Sequence, residues 1–102
     1  MATLELVRLE CHKQHDLTGR DEPIIKVDGI TVWNGVVDKG AKADLRPTSV
    51  HFNGRAEVTL EEASNGKSTQ IGGEATIREN GNPSSVNFKT SGTWYELFIK
   101  VS

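Results

Sequence analysis

Cysteine is almost absent from this 102-residue chain. A single thiol, Cys11, excludes an internal disulfide framework and leaves no cysteine pair for a zinc site or a thiol-disulfide motif. Proline is scarce as well, and Pro23, Pro47 and Pro83 stand beside polar or glycine-rich stretches rather than inside apolar runs, so no linker is expected. No run approaches the roughly 18 apolar residues that suggest a membrane span. Met1 to Glu10 lacks both a basic start and a continuous apolar stretch, so neither a transmembrane helix nor a signal peptide is expected. That profile fits the cytosol and fits equally a protein exported without a leader. Positive charge is not in excess: 12 Lys plus Arg against 14 Asp plus Glu give a formal charge of -2, with no electrostatic footprint for nucleic acid.

What the chain does have is apolar residues at a spacing of two. Ala56, Val58 and Leu60 alternate with Arg55, Glu57, Thr59 and Glu61, and Ile71, Ala75 and Ile77 alternate with Gly72, Glu74, Thr76 and Arg78. Both patterns predict half-buried strands. Near the end, Tyr95, Leu97, Ile99 and Val101 share one face, and Trp94, Glu96, Phe98 and Lys100 share the other. At the start the parity switches: Leu4 and Leu6 share a face, but Val7, Leu9 and Cys11 share the opposite one. A β-bulge near Leu6 to Val7, or a central strand touching two layers, accounts for that switch.

Asp28-Gly29 and Asn53-Gly54 both suit the left-handed backbone of a tight hairpin turn. Strands are predicted at about 3-11, 24-28, 30-34, 48-52, 55-61, 70-79, 85-89 and 93-101. No apolar stripe at helical spacing runs for ten or more residues, so the expected fold is all-β, an eight-stranded antiparallel β-sandwich forming a single domain over residues 1-102. If every connection reverses the chain, the first, third and fifth lie at one end, and these are the long ones: 11-23, 34-47 and 61-70. Loops longer than about four to six residues are commonly functional.

Acidic residues gather in those loops. His12, His15, Asp16, Asp21 and Glu22 fall in the first, Asp38 and Asp44 in the second, Glu61 and Glu62 in the third. Calcium takes about six to eight oxygen ligands, which flexible loops can supply. Arg20, Lys39, Lys42, Arg46 and Lys67 in the same loops could instead neutralise these acids one by one.

At this point the arrangement resembles the C2 family of calcium- and lipid-binding β-sandwiches, in particular the compact C2-like modules of bacterial proteins. The resemblance covers most of the chain and is carried by four short stretches. They are Gly19-Arg20-Asp21-Glu22-Pro23 after the first strand, Val58-Thr59-Leu60 running into Glu61-Glu62, Ile71-Gly72, and Gly92-Thr93-Trp94-Tyr95. It implies a calcium site with Asp16, Asp21, Glu22, Asp38, Glu61 and Glu62 as candidate ligands. Where the family carries paired aspartates in its third loop, this chain has Glu62 and Ser64, which implies weak calcium affinity or none. The corresponding function is a non-enzymatic binding module whose long-loop end engages a protein partner or an anionic surface. Leu17, Val36 and Val37 are the apolar residues expected there to meet a bilayer.

Other chemistry is thinner. His12 and His15 could pair on a transition metal with Asp16, but no further ligand follows at a defined spacing. Cys11 falls on an apolar face, as an inert buried thiol does. No Gly-x-Ser-x-Gly, phosphate-cradling glycine loop or His-Glu-x-x-His occurs, so an enzyme is not expected. Trp33 and Trp94 both fall opposite an apolar face, and with Asn34 and Asn87 nearby they could stack on and hydrogen-bond a glycan. A third reading is a structural subunit that associates through an exposed sheet edge.

Overall fold

A computed structural model describes residues 1-13, 22-37, 41-64, 66-81 and 83-102. Among the described residues there is no helix, and nine strands carry the chain: β1 (Ala2–Lys13), β2 (Pro23–Val27), β3 (Ile30–Asn34), β4 (Lys42–Phe52), β5 (Arg55–Ser64), β6 (Lys67–Gln70), β7 (Ala75–Arg78), β8 (Ser85–Lys89) and β9 (Trp94–Val101). They form two antiparallel sheets. One has the order β4-β1-β9-β8; the other runs β3-β2-β5, with β6 and β7 sharing the far side of β5. The all-β, two-sheet expectation holds, with one strand more than expected.

One cluster of buried side chains joins the sheets. Leu4, Leu6, Leu9, Tyr95, Leu97 and Ile99 come from the first, and Ile25, Val27, Val58, Leu60 and Ile77 from the second. The parity switch in β1 is a bulge. Both ladders of β1 shift register between Leu6 and Arg8, which absorbs Val7 and returns Leu9 and Cys11 to the face of Leu4 and Leu6.

Three expectations need correction. Asn53-Gly54 is not a hairpin turn: β4 pairs with β1 and β5 pairs with β2, so this dipeptide carries the chain from one sheet to the other, with Gly54 at φ 74. Asp28-Gly29, by contrast, does join the paired strands β2 and β3, with φ 51 and 82. The connection 61-70 is not a long loop, because β5 continues to Ser64 and pairs with β6 across a turn at Gly66, φ 77. The strand at 70-79 is broken in two. Between β6 and β7, Gly72 adopts φ 69 and leans on β8 of the other sheet, where an added Cβ would lie 2.9 Å from the Lys89 carbonyl oxygen and 3.0 Å from its amide nitrogen.

The registers also fix the two ends of the molecule. Lys13 pairs with Trp94, and Glu10 pairs with Lys42, so the end of β1 and the starts of β4 and β9 lie together. In the second sheet the starts of β2 and β6 lie with the end of β5. Connections one, three, five and the turn 90-93 therefore depart from one end. The opposite end has Asp28-Gly29, Asn53-Gly54 and the 79-84 connection.

Candidate functional site

Strand alternation separates the proposed calcium ligands. Neighbouring residues of a strand point to opposite faces, and on β5 this sets Glu61 outward and Glu62 on the inward side with Leu60. Glu61 pairs with Lys26 of β2 at 2.9 Å on the outer face. The hydrogen bond from Lys26, with a second from Ser68, holds the Glu61 carboxyl below the usual carboxylate range. It is committed to its own sheet. Glu22 is exposed at the start of β2, and its carbonyl accepts the amide of Ala63 at 3.0 Å, which brings it to the same rim as Glu62. Asp16, Asp21 and Asp38 lie outside the described residues. Among the described residues no three His, Cys, Asp or Glu side chains come together as a metal site. Glu22 and Glu62 alone fall short of a calcium shell. Asp44 lies within β4 rather than in a loop, and Arg46 holds it: the guanidinium Nε and Nη2 donate to its two carboxylate oxygens at 3.1 and 3.2 Å. Those bonds, together with one from the Arg46 amide, lower its pKa.

The residues considered for a glycan do not form one site. Trp33 belongs to β3 and Trp94 to β9, in different sheets. Trp33 is half-buried against the core, with its ring folded over Gly35, where an added Cβ would meet it at 2.7 Å. A second register shift, between Ile25 and Lys26, explains this, because it lets both Val32 and Trp33 reach the core. Asn34 borders a shallow cavity of about 300 Å3 that Glu22, Ile24 and Val36 also line. Trp94 and Asn87 do meet: the indole Nε1 donates to Asn87 Oδ1 at 2.8 Å.

Around Trp94 the outer face of the β4-β1-β9-β8 sheet is a web of internal contacts. Lys89 places its ammonium 4.2 Å from the ring centroid, and the His12 ring lies 4.4 Å away, tilted by 42°. These two come from the strands on either side of β9, so they hold the indole from both flanks and leave it about one-third exposed, 36%. Farther along, the Arg8 guanidinium lies 3.8 Å from the centre of Phe98 and donates to Glu10 at 2.7 Å. The charges of Arg8, Glu10 and Lys89 are met within this face.

Glu96 sits at the middle of that web. Ser85 Oγ donates to Glu96 Oε2 at 2.7 Å, and His12 Nε2 lies 3.0 Å from Oε1. An ionised carboxylate only accepts, so Nε2 carries the proton. The serine is therefore bonded to the acid and not to the histidine, the wrong order for activating a nucleophile. Ser85 first, and His12 second, lower the Glu96 pKa. A carboxyl lowered in the folded state adds stability above its unfolded pKa and loses it as pH falls through the folded value. We expect acid to destabilise the wild type more than Glu96→Gln between about pH 5 and pH 3. Thermal melts of the two proteins over that range check it, and parallel pH profiles would count against it.

A cleft at the long-loop end was not anticipated. It measures about 280 Å3 and is lined by Glu62 of β5, Thr69 and Gln70 of β6, Ile71, and Thr90, Ser91 and Thr93 of the turn before β9. The Gly72 contact on Lys89 ties its two walls together across the sheets. Compared with known families, characterised proteins and solved structures, the chain matches none.

Proposed function

We propose that this chain is a non-enzymatic binding module, similar in plan to C2 domains, that engages a protein partner or an anionic surface at its long-loop end. What carries the reading is the convergence of the connections. The segments that hold Asp16, Asp21 and Asp38 are anchored on the same rim as Glu22 and Glu62, while the other end has two tight turns. Two antiparallel sheets around one core supply the rigid frame on which such loops work. Calcium is the cofactor this reading adds, with Glu22 and Glu62 as its described donors. No helix among the described residues is long and apolar enough to cross a membrane.

The melting temperature in calcium against excess chelator tests it. A ligand bound by the native state alone raises stability by mass action, about 2.7 kcal/mol at a hundredfold excess over Kd. The expected result is a rise of several degrees at millimolar calcium that Asp21→Ala or Glu22→Ala diminishes and Glu61→Gln does not. Equal melting in calcium and chelator would remove the cation and leave the binding end to be explained without it.

A glycan is the second reading, and the cleft favours it more than the tryptophans do. Thr69 and Gln70 of β6 line it with Thr90, Ser91 and Thr93 of the 90-93 turn, whereas both indoles are engaged by their own neighbours.

A further inference from the structure

We infer that Asn53 is a site of spontaneous deamidation and that the Glu79 carboxylate holds the reaction in check. This holds whatever the long-loop end binds, because Asn53 and Glu79 lie at the opposite end.

Four of the six asparagines, Asn34, Asn53, Asn65 and Asn80, stand directly before a glycine. Such steps are the ones most open to self-attack, because glycine has no side chain to shield its amide nitrogen. The amide gives up its proton to solvent base, its nitrogen bonds to the side-chain carbonyl carbon of the asparagine, and ammonia leaves as a five-membered succinimide closes. Water then opens that ring to aspartate or isoaspartate. One water is consumed and one ammonia released.

Asn65 lies outside the described residues. At each of the other three steps the glycine amide is occupied, and the acceptors differ in kind. Gly35 N donates to Pro23 O at 3.2 Å and Gly81 N to Arg78 O at 3.0 Å, both of them neutral backbone oxygens. Gly54 N donates instead to a carboxylate, Glu79 Oε2, at 2.6 Å. Glu79 N returns a bond to Gly54 O at 3.0 Å, which carries the β5-β7 ladder one residue beyond Arg55 and Arg78. Asn53 O accepts the Arg55 amide at 2.8 Å. The 53-54 peptide is thus held on both sides, while Asn53 itself is exposed to water.

The carboxylate suits a guard and not a base. Removing the Gly54 proton would leave an amide anion against a carboxylate, a repulsion that a neutral acceptor does not impose. A carboxyl is also too weak a base for an amide proton, since general bases work where their pKa lies near the operating pH. The bond from Gly54, followed by the Met1 amino group, lowers the Glu79 pKa and so keeps the guard ionised. The reaction it restrains would alter the crossing from β4 to β5, because either product adds a negative charge there and isoaspartate adds a backbone carbon.

The test is incubation of the full chain in mildly alkaline buffer, with the rate at each asparagine read by peptide mapping and mass spectrometry. In Glu79→Ala the loss of a charge-assisted hydrogen bond should speed deamidation at Asn53 about tenfold or more, and leave Asn34 within about twofold of wild type. Glu79→Gln keeps an acceptor and removes the charge, so its rate should fall between the two. Equal acceleration at Asn34 and Asn53 would assign the protection to the fold as a whole and overturn the role of Glu79. An unchanged rate at Asn53 would overturn it as well, and a slower one would make Glu79 a base rather than a guard.

Discussion

Deleting Val7 should abolish folding, with the cooperative thermal transition lost by circular dichroism. The bulge at Val7 is what returns Leu9 and Cys11, 0% and 1% exposed, to the face of Leu4 and Leu6. Without the extra residue the downstream half of β1 turns over, since a one-residue slip sends every side chain to the other face. Leu9 would then be solvated, at a cost of about 1.5 to 3 kcal/mol. Arg8 and Glu10 would be driven inward, each at several kcal/mol of lost hydration. The sum is on the order of 10 kcal/mol, comparable to the whole stability of a typical domain. Val7→Ala keeps the residue count and trims a half-buried side chain, so it should cost only about 1 kcal/mol. A deletion variant that melts within a few degrees of wild type would show that the bulge does not set the face of β1.

Gly72→Ala comes second in size. Left-handed backbone costs a non-glycine residue about 1 to 2 kcal/mol, and Gly72 has φ 69. The new methyl would also stand 2.9 Å from a backbone oxygen of Lys89, an atom that cannot swing aside as a side chain does. Overpacking of that kind adds about 1 to 3 kcal/mol. The total of about 2 to 5 kcal/mol should lower the melting temperature by more than about 10 °C. Gly29→Ala separates the two causes, because φ 82 imposes the same backbone strain there with nothing within 4 Å. It should lose less than half as much. Equal losses at both positions would mean that the contact between the sheets at Gly72 carries no weight.

The sequence was most legible where a local pattern has one structural meaning. A parity switch within β1 can be absorbed by a bulge, and it was. Dipeptides that permit left-handed backbone were less informative: Asp28-Gly29 and Asn53-Gly54 look alike, yet only the first joins paired strands. The dipeptide reports that the chain can turn and says nothing about which sheet the next strand enters. β6 escaped notice because Lys67, Ser68, Thr69 and Gln70 are all exposed, so no apolar alternation marks them. Only its backbone pairing makes it a strand. Asn65-Gly66 was its one available signal.

For the site, part of the correction was already in the residues. Alternation along β5 places Glu61 with Glu57 and Thr59 and Glu62 with Leu60, so the two could not have faced one cation from an ordered strand. The cleft was not legible at all. Thr69 and Gln70 are some twenty residues from Thr90 in the chain, and they meet it only because β6 and β8 belong to opposing sheets.

The place of β9 has a consequence for the order in which this chain can become a protein. Val101 pairs with Leu4, and β9 fills the position between β1 and β8. β1 therefore waits for β9 to be made before its sheet can close. Until then Tyr95, Leu97 and Ile99 are missing from the core, and β1 offers an open edge along the middle of the molecule. Such distant pairing belongs to the slow regime of all-β folding, on the order of milliseconds to seconds. During that interval the nascent chain is most exposed to pairing with a neighbour of its own kind.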